Sequence, residues 1–165
     1  MTSYKVISLQ QLKFEVAHAK LNGREIVTTN GCFDLLHIGH VKYLETAKQL
    51  GDILIVGINS DDSVKALKGS MCPLMSEIDR AEIVAALECV DYVLIFPELD
   101  PRHWLSEIKP DIHVKGGDYK VGDLIEREVV ESNGGKIAIV PTIPDKSTTK
   151  IIERIREYGK SSGFR

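Results

Sequence analysis

Cysteine is scarce and poorly placed in this chain. Cys32, Cys72 and Cys89 stand far apart, form no CxxC pair and are odd in number. Neither a disulfide framework nor a zinc site is suggested, and reduced thiols in a cytoplasm are the simpler expectation. An excess of one charge is missing as well. With a formal net charge of −3 and Lys and Glu interspersed, the chain has no general electrostatic footprint for nucleic acid or anionic lipid, so any affinity for phosphate has to be local. No uninterrupted apolar run approaches the roughly 20 residues needed to span a bilayer, and the N-terminus has no basic stretch followed by an apolar one. Neither export nor membrane embedding is expected. Internal repeats and low-complexity stretches are also lacking.

What remains is 165 residues with 43% hydrophobic content, enough for one domain over 1–165 with a sizeable core. Ser8 and Gln11 read as a capping box, followed by Leu12, Val16 and Ala19 at helical spacing until Asn22-Gly23, so 1–23 is an N-terminal helical segment. Glu25 to Thr29 is a short strand running into the turn-prone Asn30-Gly31-Cys32-Phe33-Asp34. Val41, Leu44 and Ala47 mark a helix closing near Leu50-Gly51, and Ile53 to Ile58 is apolar throughout, as a strand buried on both faces should be. The alternation continues with helices over Ala81–Leu87, Arg102–Ile108, Leu124–Ser132 and Thr149–Tyr158. Strands at Tyr92–Phe96, Ile112–Lys115 and Ile137–Val140 lie between them. Regular β/α alternation predicts an α/β fold, a Rossmann-like, doubly wound and mostly parallel five-stranded sheet with helices on both faces. Residues 159–165, small and polar, read as a frayed tail.

Chemistry gathers where strands end. His37-Ile38-Gly39-His40 follows the first strand and its loop, placing two imidazoles three positions apart at a helix start. Such a start offers unpaired N–H groups and partial positive charge, and Gly39 would let a phosphate approach the backbone. On spacing alone, surface or core histidines are an equal reading. Asp34 is open between a turn or cap residue and a functional one. Downstream, Asn59-Ser60-Asp61 ends the second strand, and Lys65 and Lys68 follow before Gly69 in what reads as a loop. Arg80 opens a helix after Ser76 and Asp79, where a cation opposes the helix dipole unless a phosphate or a carboxylate such as Asp79 stands nearby. Gly116-Gly117-Asp118 after the fourth strand would let a base or ribose lie against the backbone, or would simply turn the chain. Ser147-Thr148-Thr149 presents three hydroxyls before the last helix, of which an N-cap explains one.

The segment Gly31 to His40, with its Gly-x-Phe-Asp lead-in, closely resembles the signature of the cytidylyltransferase-like nucleotidyltransferase superfamily. Within it, Thr29 to Asp34, Val56 to Asp61, Lys68-Gly69, Val114 to Tyr119 and Ser147 to Thr149 are similar to the heptose 1-phosphate adenylyltransferases, the adenylyltransferase domains of ADP-heptose synthases. The rival resemblance is to glycerol 3-phosphate cytidylyltransferases, which share a stretch like Ser147 to Ile151. They usually carry arginine just after the proline matching Pro141, where this chain has Thr142. One departure is Cys72, which stands before Pro73 where the heptose family commonly has arginine.

The resemblance implies ATP and a phosphorylated sugar as partners, Mg²⁺ as cofactor with the ATP, pyrophosphate release, and a homodimer as in many relatives. It implies His37, His40 and Lys68, rather than Lys65, as the catalytic groups. Gly31, Cys32, Phe33, Gly39, Asn59, Asp61, Gly116, Gly117, Asp118, Ser147, Thr148 and Thr149 would bind nucleotide, and Asp34 and Arg80 the acceptor. No residue is expected to bind a metal directly. The sugar kinase often fused to such domains has no room in 165 residues, so the expectation is a stand-alone enzyme. A nucleotide-binding module without catalysis is the alternative of another class.

Overall fold

The first helix begins as its capping box requires. Ser8 Oγ accepts from the Gln11 amide at 3.3 Å, and Gln11 Oε1 accepts from the Ser8 amide at 3.0 Å, satisfying two otherwise unpaired donors reciprocally. In this computed structural model, which describes residues 3–117, 119–141, 143 and 146–161, the order is α1 (Leu9–Leu21), β1 (Ile26–Gly31), α2 (Ile38–Lys48), β2 (Ile53–Asn59), α3 (Asp61–Lys68), α4 (Glu77–Ala85) and β3 (Tyr92–Phe96). Then come α5 (Arg102–Ile108), β4 (Ile112–Gly116), α6 (Arg127–Ser132), β5 (Lys136–Val140) and α7 (Thr148–Ser161). The predicted α/β architecture is found: one sheet in the order β3-β2-β1-β4-β5, every adjacent pair parallel.

Parallel strands are buried on both faces, and their side chains alternate between two cores. Leu54, Val56 and Ile58 of β2 face a core with Leu44 and Ala47 of α2 and Ala81, Val84 and Ala85 of α4. Ile53 and Ile55 face the other, with Leu12 and Val16 of α1, Trp104, Leu105 and Ile108 of α5 and Val130 of α6. None of the described helices is long and apolar enough to cross a membrane.

Several elements differ from the sequence reading: α4 starts at Glu77 behind the Ser76 cap, not at Ala81, so Arg80 is its fourth residue and does not open it, and α6 starts at Arg127, not at Leu124. The segment after Asn59, read as a loop, is the helix α3, capped by Ser60, whose Oγ accepts from the Ser63 amide at 3.2 Å. It ends at Lys68, and Gly69 leaves it with φ 98°. Its polar sequence buries only Ser63 and Val64, so no apolar stripe announced it. The last helix runs to Ser161, taking in the first residues of the predicted tail, and 162–165 lie outside the described residues.

Sheet and helix layers meet closely at Gly57. A Cβ there would stand 2.7 Å from Trp104 Cζ2, and Trp104 is only 1% exposed. We expect Gly57→Ala to lose about 1–3 kcal/mol through overpacking, read as a lowered thermal midpoint with altered emission from the single tryptophan. An unchanged midpoint would contradict this packing.

Candidate active site

In the sheet, chain progression reverses beside β1: β2 and β3 build outward on one side, β4 and β5 on the other. Such a switch point opens a crevice beyond the carboxyl ends of the strands. A cleft of about 380 Å³ lies there, within the range of small-molecule sites. Asn30 and Gly31 reach it from β1, Lys115 and Gly116 from β4, Gly39, His40 and Tyr43 from α2, and Lys68 from α3.

The turn out of β1 sets the histidines. Phe33 adopts φ 46°, a left-handed conformation that is costly for an aromatic residue. Its ring is buried 5.3 Å from that of His40. His37 lies just outside α2 as its N-cap, with extended φ −137°, where the sequence reading put both imidazoles within the first turn. Its Nδ1 accepts from the Gly39 amide at 3.1 Å, and His40 Nδ1 accepts from the His37 amide at 3.4 Å. The rings stack with centroids 3.9 Å apart.

Two consequences follow from these bonds. A backbone donor at each Nδ1 makes that nitrogen the acceptor, so in each neutral ring the proton sits on Nε2. The Gly39 N–H, expected to meet phosphate, is already used. Gly39 is instead required by packing: a Cβ would stand 2.8 Å from the His37 ring and 3.2 Å from Lys146 Cβ. Burial lowers the pKa of His37. His40 falls to about 4, through burial first, then the charges of His37 and Lys68. At neutral pH the site therefore offers a pair of neutral Nε2–H donors.

Lys68 lines the cleft from the exposed end of α3, whereas Lys65 pairs with Asp62 at 3.0 Å and stays outside it. Cys32 and Phe33 also line the cleft, and so do Ser147 and Thr148 from the start of α7. Ser147 Oγ accepts from the Lys150 amide at 3.3 Å, and the Thr148 hydroxyl donates to the Leu35 carbonyl at 3.4 Å. Thr149 is exposed and does not line the cleft. Gly116 does, pressed against Tyr43, whose ring a Cβ would meet at 3.0 Å. Gly117 turns the chain with φ 117° and donates to the Val140 carbonyl at 3.0 Å. Asp118 and Thr142 lie outside the described residues.

Four expected ligand contacts are turned into the protein instead. Arg80 is fully buried. Its Nε donates to the Met75 carbonyl at 3.1 Å, Nη1 to Cys32 O, and Nη2 at 2.8 Å to both Asn59 O and Asp61 Oδ1. The carboxylate that offsets its charge is Asp61; Asp79 instead accepts from the Ser76 hydroxyl at 2.7 Å. Asp34 accepts from the Leu74 and Met75 amides at 2.9–3.0 Å, and Asn59 donates to Ser63 Oγ at 3.0 Å. Asp34, Asn59, Asp61 and Arg80 thus splice the loops that end β1 and β2 to the start of α4. Cys72, too, does not line the cleft.

Sequence reasoning passed over Tyr43 and Lys115. The Tyr43 hydroxyl lies 2.7 Å from Thr29 Oγ1 and donates to the Val114 carbonyl at 3.0 Å, bridging β1 and β4 beneath the cleft. Burial pushes it up to about 12. Its signal was a polar aromatic in the helix immediately after the histidine motif.

A cytidylyltransferase-like family model matches residues 28–154. The bifunctional protein HldE of Citrifermentans bemidjiense is 49% identical over 151 residues, covering 92% of this chain and 31% of the relative. That of Pelobacter propionicus is 54% identical over 138 residues, covering 84% and 28%. The chain thus spans about a third of the length of these curated relatives. Among solved structures, a lipopolysaccharide core biosynthesis protein from Thermoplasma volcanium is 31% identical with a TM-score of 0.59, covering 73% of this chain and 98% of that one. A pantoate–β-alanine ligase from Francisella tularensis, 14% identical with a TM-score of 0.57, covers 93% of this chain and 77% of its own and shares the fold.

Two measurements check the site's electrostatics. Arg80→Met should cost about 3–5 kcal/mol of stability, because it strands Asp61 and three carbonyls; an unchanged melting midpoint with a raised acceptor KM would return Arg80 to a ligand role. In ¹⁵N NMR, His40 should remain neutral and Nε2-protonated at pH 5.5 and titrate near pH 4. Because the folded pKa lies below the ordinary 6.5, its contribution to stability is complete above pH 6.5 and is lost as pH falls towards 4. A midpoint near 6.5 would contradict the buried environment.

Proposed function

Because the chain belongs to the cytidylyltransferase-like family, we propose that it transfers AMP from ATP to D-glycero-β-D-manno-heptose 1-phosphate, giving ADP-heptose and pyrophosphate. The observation that carries this reading is the stacked pair His37 and His40, neutral and Nε2-protonated, in a cleft shared with Lys68, Lys146 and the start of α7. The HldE relatives and the protein named for lipopolysaccharide core biosynthesis support the acceptor.

An oxygen of the acceptor phosphate attacks the α-phosphorus in line. A P–O bond forms there as the bond to the bridging α–β oxygen breaks, and pyrophosphate leaves with that electron pair. The acceptor is already ionised near neutral pH, so no strong base is needed. The two Nε2–H groups donate to oxygens on which charge grows, and being neutral they retain their protons for that purpose. Lys68 and Lys146 offset the triphosphate's charge. The chain's part is placement and electrostatics, with no covalent enzyme intermediate.

Among the described residues, no cluster of His, Cys, Asp or Glu is arranged to hold a metal, and the cleft lining carries no carboxylate. Mg²⁺ carried by the triphosphate would supply charge neutralisation in the cleft.

Pyrophosphate release tests the reaction. ATP with heptose 1-phosphate should give turnover, with kcat/KM exceeding that for CTP. A preference for CTP with glycerol 3-phosphate would move the chain to the cytidylyltransferases, and ATP binding without turnover on any phosphorylated acceptor would make it a binding module. His37→Ala and His40→Ala should each lower kcat by about 10²-fold or more with the fold intact. Lys68→Ala should lower kcat while moving stability by no more than about 0.5 kcal/mol, and Lys65→Ala should leave kcat unchanged.

A further inference from the structure

Behind the cleft floor lies a buried ionic cluster that the transfer step does not use. Glu126, 1% exposed, precedes α6. His113 and Lys115, two apart on β4, point to the same face of the sheet. Lys115 Nζ stands 2.5 Å from Glu126 Oε1 and donates to Asn30 Oδ1 at 2.9 Å. His113 Nε2 is 3.6 Å from the same carboxylate oxygen, and its Nδ1 is 2.9 Å from the Thr28 hydroxyl. The Thr28 hydroxyl also donates to the Ile112 carbonyl at 3.4 Å, and Nε2 faces Glu126 beyond hydrogen-bond distance. Burial holds His113 well below its ordinary range, so it is neutral. Burial also draws Lys115 down to about 8, which leaves the ammonium charged at neutral pH.

A buried ion pair seldom stabilises a fold more than apolar residues of the same size would. What this one provides is a fixed position. Of the described lysines lining the cleft, Lys68 and Lys146 belong to the histidine end. Lys68's charge is felt by His40, and the Lys146 side chain borders Gly39 beside the His37 ring. Lys115 is the half-buried one, and its partners come from β1 and the residue before α6, away from both helix starts. The reaction brings two anions together, and the histidines, being neutral, cannot offset the second.

We infer that Lys115 is the cation that receives the anionic phosphate of the acceptor, held at the cleft floor by Glu126 as a positioning residue. This rests on the transfer reaction proposed above. Asn30 shares the duty: with its oxygen turned to Lys115, its amide is left to donate elsewhere.

The test uses the full chain with Lys115→Met, Glu126→Gln and the double variant. It measures kcat, acceptor KM and affinity for a non-hydrolysable ATP analogue by titration calorimetry. Lys115→Met should raise acceptor KM about tenfold or more, the scale of a charge-assisted hydrogen bond, while analogue affinity moves less than about threefold. Glu126→Gln should raise acceptor KM in the same direction, and the double variant should be no worse than Lys115→Met alone, because Glu126 acts through the lysine. An unchanged acceptor KM in Lys115→Met overturns the inference, and so does an equal loss of analogue affinity, which would assign the lysine to the nucleotide. Additive losses overturn the positioning role. Should Glu126→Gln not fold, Lys115→Met, whose unbranched chain fills the same space, decides alone. A wild-type chain that turns over only another phosphorylated acceptor revises the acceptor named above, and the same comparison is then read with that acceptor. A chain with no turnover overturns both.

Discussion

Where a ligand can sit in this protein is decided by the reversal of chain progression at β1. A parallel sheet built outward in both directions from one central strand leaves its crossover helices on opposite faces, and the gap between them opens only beyond the carboxyl ends of β1 and β4. Asn30, Gly31, Lys115 and Gly116 are simply the residues at which those strands stop. Everything else at the site consists of groups brought to that gap. The turn through Phe33 aims α2 so that its cap and first turn face it, and α3 delivers Lys68 to its edge.

Holding such a crevice open takes internal bracing, which explains why several charged residues near the motif do not face it. The guanidinium of Arg80 ties Cys32 at the end of β1 to Asn59 and Asp61 at the end of β2, and Asp34 fastens the approach to α4. Glu77 adds a further tie, accepting from the Asp61 amide at 2.7 Å. The buried charges are spent on holding the loops in register, and the imidazoles above them are left neutral by their own burial. Donor geometry at the histidines, bracing at Arg80 and the cation at Lys115 are separate tasks assigned to separate elements.

The strands were legible because burial on both faces demands continuous apolar runs, as in Ile53 to Ile58, and the first helix because Ser8 and Gln11 spell its cap. The histidine motif was legible through the resemblance of Gly31 to His40 to a known signature, since the spacing of the two histidines alone left surface or core residues an equal reading. What could not be read is what depends on distant partners. Asp61 to Lys68 looks like a loop until Ser60 is seen to cap it. Arg80 and Asp34, charged and close to the motif, resemble ligand contacts in a linear reading, and only the fold shows carbonyls and amides already filling their bonds. Lys115 and Glu126 stand apart in sequence, each plausible as a surface charge, and they become a pair only when the fold brings the residue before α6 against Lys115 of β4.

The account's central claim is that two neutral imidazoles present Nε2–H to the phosphates of a nucleotide in the crevice beyond β1 and β4. A crystal structure of the full chain with a non-hydrolysable ATP analogue tests it most directly. His37 and His40 Nε2 should each lie within about 3.2 Å of a phosphate oxygen, with Arg80 still bound to Cys32, Asn59, Asp61 and Met75. A nucleotide seated elsewhere, or phosphates held by Arg80 with both imidazoles turned away, would contradict the account.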